Sequence, residues 1–460
     1  MGLICYRLFR FRVYSWEMVA IGGTGTGADG ILLSFVQILC PALLLLVCKD
    51  NNLITMVETS KMKKVKTSVT TSAAETIGHN PDLLTQILLR LPTKPLLKFK
   101  RVSKQWLSLI SSPDFCLSHT RHHNQTDGFL KPTSLLLDWR YTSSSEFMFA
   151  SLKHISEVPV FDFLNCPNID MLDSCNGLFL CECTFHSPRF IVKYFICNPT
   201  TRKFKELLFP ALAPYDFTAS LAFDPLKSPH YKIIFVSKLS VEENTTFQLD
   251  LYSSETDSWS VSKMWFIREN SNFVRFKDSL FWNGKIYWNR RGSRSLYFDI
   301  ENESLEVMQM SPISTRDIFV QRIGECQGVL CLAVICRAAT CLELNVFEMP
   351  CDSSCWLLKH HLCIGDSERG FPEVFKHYYM HNPQFSDISM IHFGKENEPK
   401  ILVWIEDEIV FYDFEDGKWK SFSDVLPEVN IDSVGDFNHH TTLSVQSIRA
   451  YKYYENLSSV

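Results

Sequence analysis

The segment from Asn80 to His119 constrains the fold most strongly, because it carries more apolar side chains than so short a stretch can bury by itself. In the first of its three apolar runs, leucine and isoleucine recur at intervals of three and four residues, at Leu84, Ile87, Leu88 and Leu91. This spacing places them along one face of a helix. A domain of about forty residues usually needs a metal, disulfides or a partner for stability. We therefore predict a small helical module that binds another protein through exposed apolar side chains.

Capping residues predict three helices in this module. Asn80-Pro81 can cap and begin the first helix, and Pro92 ends it. The second helix is predicted to begin at Thr93, and the third follows the cap residue Ser103. Ser112-Pro113 is expected to close the module.

Charge limits the class of partner. The whole chain has a formal net charge of -5, which argues against a nucleic-acid binder, since phosphate groups are normally met by a basic surface. Within the helical segment, however, basic residues lie close together without an acidic residue between them, at Lys94, Lys98, Lys100, Arg101 and Lys104. Such a local field favours association with an acidic protein.

The helical segment resembles the F-box, the module through which substrate receptors bind the Skp-type adaptor of cullin-RING ubiquitin ligases. One departure is Asn80-Pro81, where the family usually has Leu-Pro. The resemblance implies an acidic adaptor as partner. It also implies adaptor contacts at Pro81, Leu83, Leu84, Ile87, Leu88, Leu91, Pro92, Leu97, Val102 and Trp106.

From about Leu135 onward, short β-branched and aromatic runs alternate with turns, which predicts an all-β region. Two pairs, Asn176-Gly177 and Asn283-Gly284, are strong hairpin signals, because both central residues of such a turn need positive φ. Gln327-Gly328 precedes a third apolar strand in the same way.

A second pattern recurs about every 50 residues, close to the period of kelch-like propeller blades. In each copy an apolar strand enters a polar turn, and the chain returns through one large side chain, at Phe204, Trp259, Leu305, Trp356 and Trp419. We predict a β-propeller of about six blades, with these side chains packed between neighbouring blades.

Four stretches of this region resemble the plant F-box-associated domain: DSCNGLFL, ICNPTTRKF, LAFDPLKSPHYKI and YSSETDSWS. The glycine doublet of the kelch family is missing from the region, since the only Gly-Gly pair of the sequence, Gly22-Gly23, lies far upstream. The order of an F-box followed by this domain is specific to the family of plant F-box proteins with an F-box-associated, kelch-like interaction domain.

The first part of the chain allows more than one interpretation. Residues 31–48 form an uncharged, largely apolar run that just reaches the length of a membrane helix, and Pro41 interrupts it. The run is either a membrane anchor or part of an extension translated from non-native leader sequence, with Met56 as the natural start. Gly25, Gly27 and Gly30 spell GxGxxG, but the sequence predicts no following parallel strand to complete a dinucleotide-binding unit.

Motifs of catalysis and metal binding are missing from the sequence. It contains no GxSxG, HExxH or paired CxxC, so we expect no catalytic residues, no metal and no cofactor. The 16 cysteines are scattered through apolar runs, as buried free thiols are in a reducing compartment, and disulfides are not expected.

The sequence therefore predicts a multidomain chain. It consists of an N-terminal extension over 1–57, a polar linker over 58–78, a three-helix F-box over 79–120 and an all-β propeller over 130–455. The predicted function is that of a substrate receptor in a Skp–cullin–F-box ubiquitin ligase of the cytoplasm or nucleus, with unassigned target-binding residues. The alternative is a membrane-tethered propeller that binds ligands without a ligase role.

Overall fold

A computed structural model describes residues 80–124, 129–140, 145–151, 161–185, 191–208, 217–238, 246–260, 264–266, 276, 278–289, 293–310, 313, 317–338, 341–350, 355–364, 385–391, 400–405, 408–421 and 447–460. The apolar run 31–48, the GxGxxG pattern and the polar linker lie outside these residues. The chain divides into two compact units, Met1–Leu91 and Pro92–Val460.

The described residues contain four α-helices, not the predicted three. The first unit contributes α1 (Pro81–Leu88), and the second contributes α2 (Thr93–Phe99), α3 (Lys104–Ser111) and α4 (Pro113–His123). The predicted caps are confirmed at α1 and α3. The Asn80 side chain accepts hydrogen bonds from the backbone N–H groups of Asp82 (3.1 Å) and Leu83 (3.2 Å), and the Ser103 hydroxyl accepts one from Trp106 (3.1 Å).

The prediction that Ser112-Pro113 closes the helical module was wrong. The Ser112 hydroxyl accepts a hydrogen bond from the backbone N–H of Phe115 (3.2 Å), so it caps α4, and Pro113 occupies the first turn of that helix. Proline is tolerated there because its missing N–H has no partner within the helix. Among the helices that the structure describes, none is long and apolar enough to cross a membrane.

In the residues that the structure describes, the second unit continues as a β-propeller with five blades, each an antiparallel sheet of consecutive strands. The first blade comprises β3 (Asn168–Cys175), β4 (Leu178–Phe185), β5 (Ile191–Asn198) and β6 (Lys203–Leu207). The second comprises β7 (Phe217–Phe223), β8 (Tyr231–Lys238), β9 (Thr246–Ser253), β10 (Ser258–Ser260) and β11 (Met264–Phe266). The third comprises β12 (Ser279–Trp282), β13 (Lys285–Trp288), β14 (Arg294–Asp299) and β15 (Ser304–Gln309). The fourth comprises β16 (Ile318–Cys326), β17 (Val329–Arg337), β18 (Leu342–Met349) and β19 (Leu357–Ile364), and the fifth comprises β20 (Phe385–Ile391), β21 (Lys400–Ile405), β22 (Glu408–Asp413) and β23 (Lys418–Ser421).

A three-stranded sheet, which we call the closing sheet, completes the ring. It contains β1 (Ser134–Arg140), β2 (Ser145–Ser151) and β24 (Ser447–Tyr453), with β1 between the other two. The first strands of successive blades contact one another, and β24 contacts both β20 and β3. Five blades and this sheet agree roughly with the predicted number of about six.

The two Asn-Gly pairs form hairpin turns as predicted, and Gln327-Gly328 forms a third. Both residues have positive φ in Asn176-Gly177 (48° and 94°), Asn283-Gly284 (46° and 77°) and Gln327-Gly328 (52° and 80°). Each turn joins the first and second strands of its blade. The indole N–H of Trp282, just before the second turn, donates to the carbonyl of Gly328 in the third (3.0 Å), so these two turns lie at the same end of the ring.

Hydrophobic clusters fill the space between neighbouring blades. Ile335 and Leu344 of the fourth blade, for example, pack with Ile401 and Val403 of the fifth. Four of the five predicted inter-blade side chains belong to such clusters, namely Trp259, Leu305, Trp356 and Trp419. Phe204 differs, since 47% of its surface is exposed.

The expectation of free thiols fails at one pair of cysteines. Cys341, the residue before β18, and Cys363, in the neighbouring strand β19, are joined in a disulfide. Most of the other described cysteines are buried, such as Cys181 and Cys197.

Asp173 links the first strands of three neighbouring blades. Its carboxylate accepts hydrogen bonds from the backbone N–H of Leu221 in β7 (2.7 Å) and from the hydroxyl of Ser279 in β12 (2.7 Å). A third comes from the backbone N–H of Ser174 (2.8 Å). Burial nevertheless raises the pKa of Asp173 from 3.8 to about 7, because the charged form loses more by leaving water than these donors return.

This pKa predicts a pH-dependent stability. The folded protein binds the proton of Asp173 more tightly than the unfolded chain does, so this group stabilises the fold least above its folded pKa. Raising the pH from about 4 to about 7 should therefore remove stability of the order of a few kcal/mol. Asp173→Asn lacks this contribution. The unfolding temperature of the variant minus that of wild type should therefore increase as the pH is raised from about 4 to about 7.

Differential scanning fluorimetry at a series of pH values measures this difference. Ser279→Ala is the companion variant. It removes a hydrogen-bond donor to the Asp173 carboxylate and so raises the pKa of that carboxylate further, and the loss of stability with rising pH should therefore extend to higher pH. Parallel pH profiles for wild type and Asp173→Asn would contradict the assignment.

Candidate docking site

In the first unit, helix α1 separates the predicted contact positions into exposed and buried ones. Leu83 has 46% of its surface exposed, and Pro81 is also exposed. Ile87 is partly buried. Leu84 and Leu88 are buried, with 0% and 1% of their surfaces exposed. In this conformation, Leu84 and Leu88 are therefore core side chains.

In the second unit, the predicted positions of α2, α3 and their connection are exposed or partly buried. Val102 has 54% of its surface exposed. The rings of Trp106 and Phe99 meet edge to face with their centroids 5.7 Å apart, and Leu97 and Trp106 are partly buried. Of the remaining positions, Leu91, the last residue of the first unit, is partly buried, and Pro92, the first residue of the second, is exposed.

Leu107 is a candidate contact residue outside the predicted set. It has 48% of its surface exposed, whereas Ile110, three residues further along α3, is fully buried. Residues that are adjacent in a helix point about 100° apart. Leu107 directly follows Trp106 in the sequence, so its side chain is expected beside the face of α3 that Trp106 shares with the buried Ile110.

The basic residues of this segment have unequal environments. Lys98, Arg101 and Lys104 are exposed, as expected for a field that attracts an acidic protein. Lys94 forms an ion pair with Glu455 (3.2 Å). Lys100 is partly buried, and this burial lowers its pKa.

A cavity of about 440 Å³ lies along the first strands of the blades, where charged side chains of opposite sign line it. Arg449 pairs with Asp278 (3.3 Å), and Lys452 pairs with Glu325 (3.4 Å). Asp173 is satisfied by the three donors described above. Because these charges pair with one another, the cavity has no clear preference for an anion or a cation.

Comparisons with known proteins agree with this architecture. A family model described as "F-box domain" matches residues 79–118, and one described as "F-box associated beta propeller domain" matches residues 135–346. An F-box protein of Arabidopsis thaliana is 30% identical over 378 residues, which cover 78% of this chain and 89% of the relative. An F-box/kelch-repeat protein of the same plant is 24% identical over 280 residues, which cover 56% of this chain and 72% of the relative.

Among solved structures, a six-bladed propeller lectin of Aleuria aurantia is 11% identical with a TM-score of 0.31, covering 64% of this chain and 96% of the lectin. That similarity is too low to bear on fold or function. The helical segment, the propeller and the relative that matches most of the chain together identify the class of protein. The chain belongs to the family of F-box proteins that carry an F-box-associated β-propeller domain.

The burial of Leu84 and the exposure of Leu83 predict effects of very different size on the stability of α1. Leu84→Ala should cost about 2–5 kcal/mol of the local unfolding free energy, because it leaves a cavity in a packed site. Leu83→Asp should change that free energy by no more than about 0.5 kcal/mol, because the side chain faces solvent. Hydrogen exchange of the α1 amides measures both. Equal acceleration in the two variants would contradict the assignment of Leu84 as a core residue.

Proposed function

We propose that this protein is the substrate receptor of a Skp–cullin–F-box ubiquitin ligase. The match of residues 79–118 to the F-box, followed directly by the propeller match, is the observation that carries the proposal. The helical segment would bind the Skp-type adaptor, and the propeller would bind a protein target. The membrane-tethered alternative is not favoured, since it leaves the F-box without a role.

The proposed adaptor contacts are the exposed and partly buried members of the predicted set, with Leu107 added. Burying one leucine or valine side chain contributes roughly 1.5–3 kcal/mol, so a few such contacts can support binding after the entropic cost of association. Leu84 and Leu88 would act indirectly, by keeping α1 folded.

The mechanism we infer is scaffolding, in which the receptor itself makes and breaks no covalent bond. Holding the target beside the ubiquitin-charged enzyme raises the effective concentration of a target lysine. We propose that the protein acts without a cofactor or metal, in the cytoplasm or nucleus. The identity of the target depends on propeller loops, which carry specificity in such folds.

Val102→Asp tests adaptor binding directly. Placing a carboxylate in an apolar contact loses the burial energy and adds a desolvation cost, so affinity for a purified Skp-type adaptor should fall roughly 10- to 100-fold. Isothermal titration calorimetry measures this change. Ser118→Asp on the exposed side of α4 is the control and should bind with wild-type affinity. Unchanged binding by a folded Val102→Asp protein would remove Val102 from the interface.

Salt dependence tests the role of the basic residues. The association rate constant with the acidic adaptor should fall about tenfold between low and high salt, because screening weakens long-range attraction. The dissociation rate constant should change much less. Replacing Lys98 and Lys104 by glutamine should flatten the salt dependence in stopped-flow measurements, and an equally steep dependence in this variant would contradict electrostatic steering by these lysines.

A further inference from the structure

The residues after β24, 454–460, contact both the helices and the propeller within the second unit; we call them the C-terminal segment. Asn456, Leu457 and Ser458 are buried, with 3%, 2% and 5% of their surfaces exposed. Burial of two polar residues in a segment outside the sheets requires that their hydrogen-bonding groups be satisfied by the surrounding structure.

The side chain of Asn456 joins the segment to the first blade. Its Oδ1 accepts a hydrogen bond from Nδ2 of Asn198 (2.9 Å), and its Nδ2 donates one to the backbone carbonyl of Asn176 (2.7 Å). Nδ2 of Asn198 also donates to the carbonyl of Ser458 (2.8 Å). Removing one partner of such a buried network leaves the others unsatisfied, which makes the network specific for asparagine at this position.

The same segment contacts the helices. Nζ of Lys94, in α2, lies 3.2 Å from the carboxylate of Glu455. The thiol of Cys116, in α4, donates to the carbonyl of Leu457 (3.3 Å). Helix α4 also contacts the propeller directly, since Nε of Arg121 donates to the carbonyl of Leu226 in the turn after β7 (2.6 Å). The segment therefore lies where helices and blades meet.

The C-terminal segment packs so closely against the first hairpin that no side chain larger than glycine fits at Gly177. A Cβ atom on Gly177, which has a φ of 94°, would lie 2.3 Å from both Nδ2 of Asn456 and the carbonyl oxygen of Tyr454. The partners named above, Asn176, Asn198 and Leu226, belong to three of the four stretches that resemble the F-box-associated domain. Those stretches thus supply the propeller side of a single junction.

We propose that the C-terminal segment, through Asn456, is a rigid joint that fixes helices α2–α4 relative to the propeller. Asn456 is a positioning residue in this proposal. Fixed geometry would set the distance between a ligase bound at the helices and a target bound at the propeller, a consequence that rests on the proposed function. A loose connection would instead spread the target over a larger volume and lower its effective concentration at the enzyme.

Distance measurement between two spin labels tests the joint. Labels carried by non-natural side chains at Ser118 in α4 and at Glu255 in the second blade avoid the native cysteines, and both sites are exposed. Asn456→Ala should broaden the distribution of label distances at least about twofold and accelerate exchange of the α4 amides on the order of tenfold, because it deletes the buried network. Asn302→Ala, in an exposed turn, is the matched control and should leave both unchanged.

A charge reversal provides a second variant in case Asn456→Ala fails to fold. Glu455→Lys places two ammonium groups together and should broaden the distribution, whereas Glu455→Lys combined with Lys94→Glu should restore its width. A wild-type width in both Asn456→Ala and Glu455→Lys would overturn the proposal. A lowered unfolding temperature with unchanged distances would also overturn it, because the segment would then only stabilise the propeller.

Reconstituted ligase tests the consequence for ubiquitin transfer. Mass spectrometry identifies which lysines of the receptor itself become ubiquitinated. Their number should be larger in Asn456→Ala than in wild type. The same set of lysines in both proteins, despite a broadened distance distribution in the variant, would overturn this part of the proposal. Adaptor affinity should be the same in both proteins. A wild-type protein that binds no adaptor would refute the proposed function, while the distance measurements would still decide whether the joint exists.

Discussion

The pairing of β1 with β24 is the interaction on which the propeller depends, because it joins the first and last strands of the domain. The two strands pair along their full length, from Ser134 opposite Tyr453 to Arg140 opposite Ser447. Bringing such distant strands together costs loop-closure entropy, which the hydrophobic clusters between successive sheets must offset. Closure in turn brings β24 into contact with the first and last blades and leaves neither of them at an open end of the ring.

This closure also determines where the helices and the C-terminal segment meet. In the antiparallel register, the beginning of β1 lies beside the end of β24. The backbone N–H of Thr133 donates to the carbonyl of Tyr453 (2.8 Å), so the chain enters and leaves the closing sheet at one point. Helices α2–α4, which precede β1 in the second unit, and the residues that follow β24 therefore lie side by side. The junction around Asn456 follows from the topology of the ring.

Local sequence signals predicted the structure correctly where a residue type in its sequence context favours a single conformation. The Asn80 and Ser103 caps and the Asn-Gly turns are examples, because their side chains or positive φ values satisfy the backbone within a few residues. Proline has two uses, ending one helix or beginning the next, and at Pro113 the wrong one was predicted. Phe204 fits the blade pattern as well as Trp259 does, but it is half-exposed. The pattern depends only on spacing along the chain and does not determine which residues cover a side chain.

The sequence by itself determined the order of the modules, the helical period and several turns, because these depend on contacts between residues close in the chain. It also carried the family resemblance that the comparisons confirmed. Only the tertiary structure decided that Leu84 is buried while Leu83 is exposed, that Cys341 meets Cys363, and that Asp173 joins three blades. The physical reason is that burial, pKa and buried hydrogen bonds depend on which segments, distant in the sequence, pack against a residue. Closure of the ring and the packing of its blades determine these contacts.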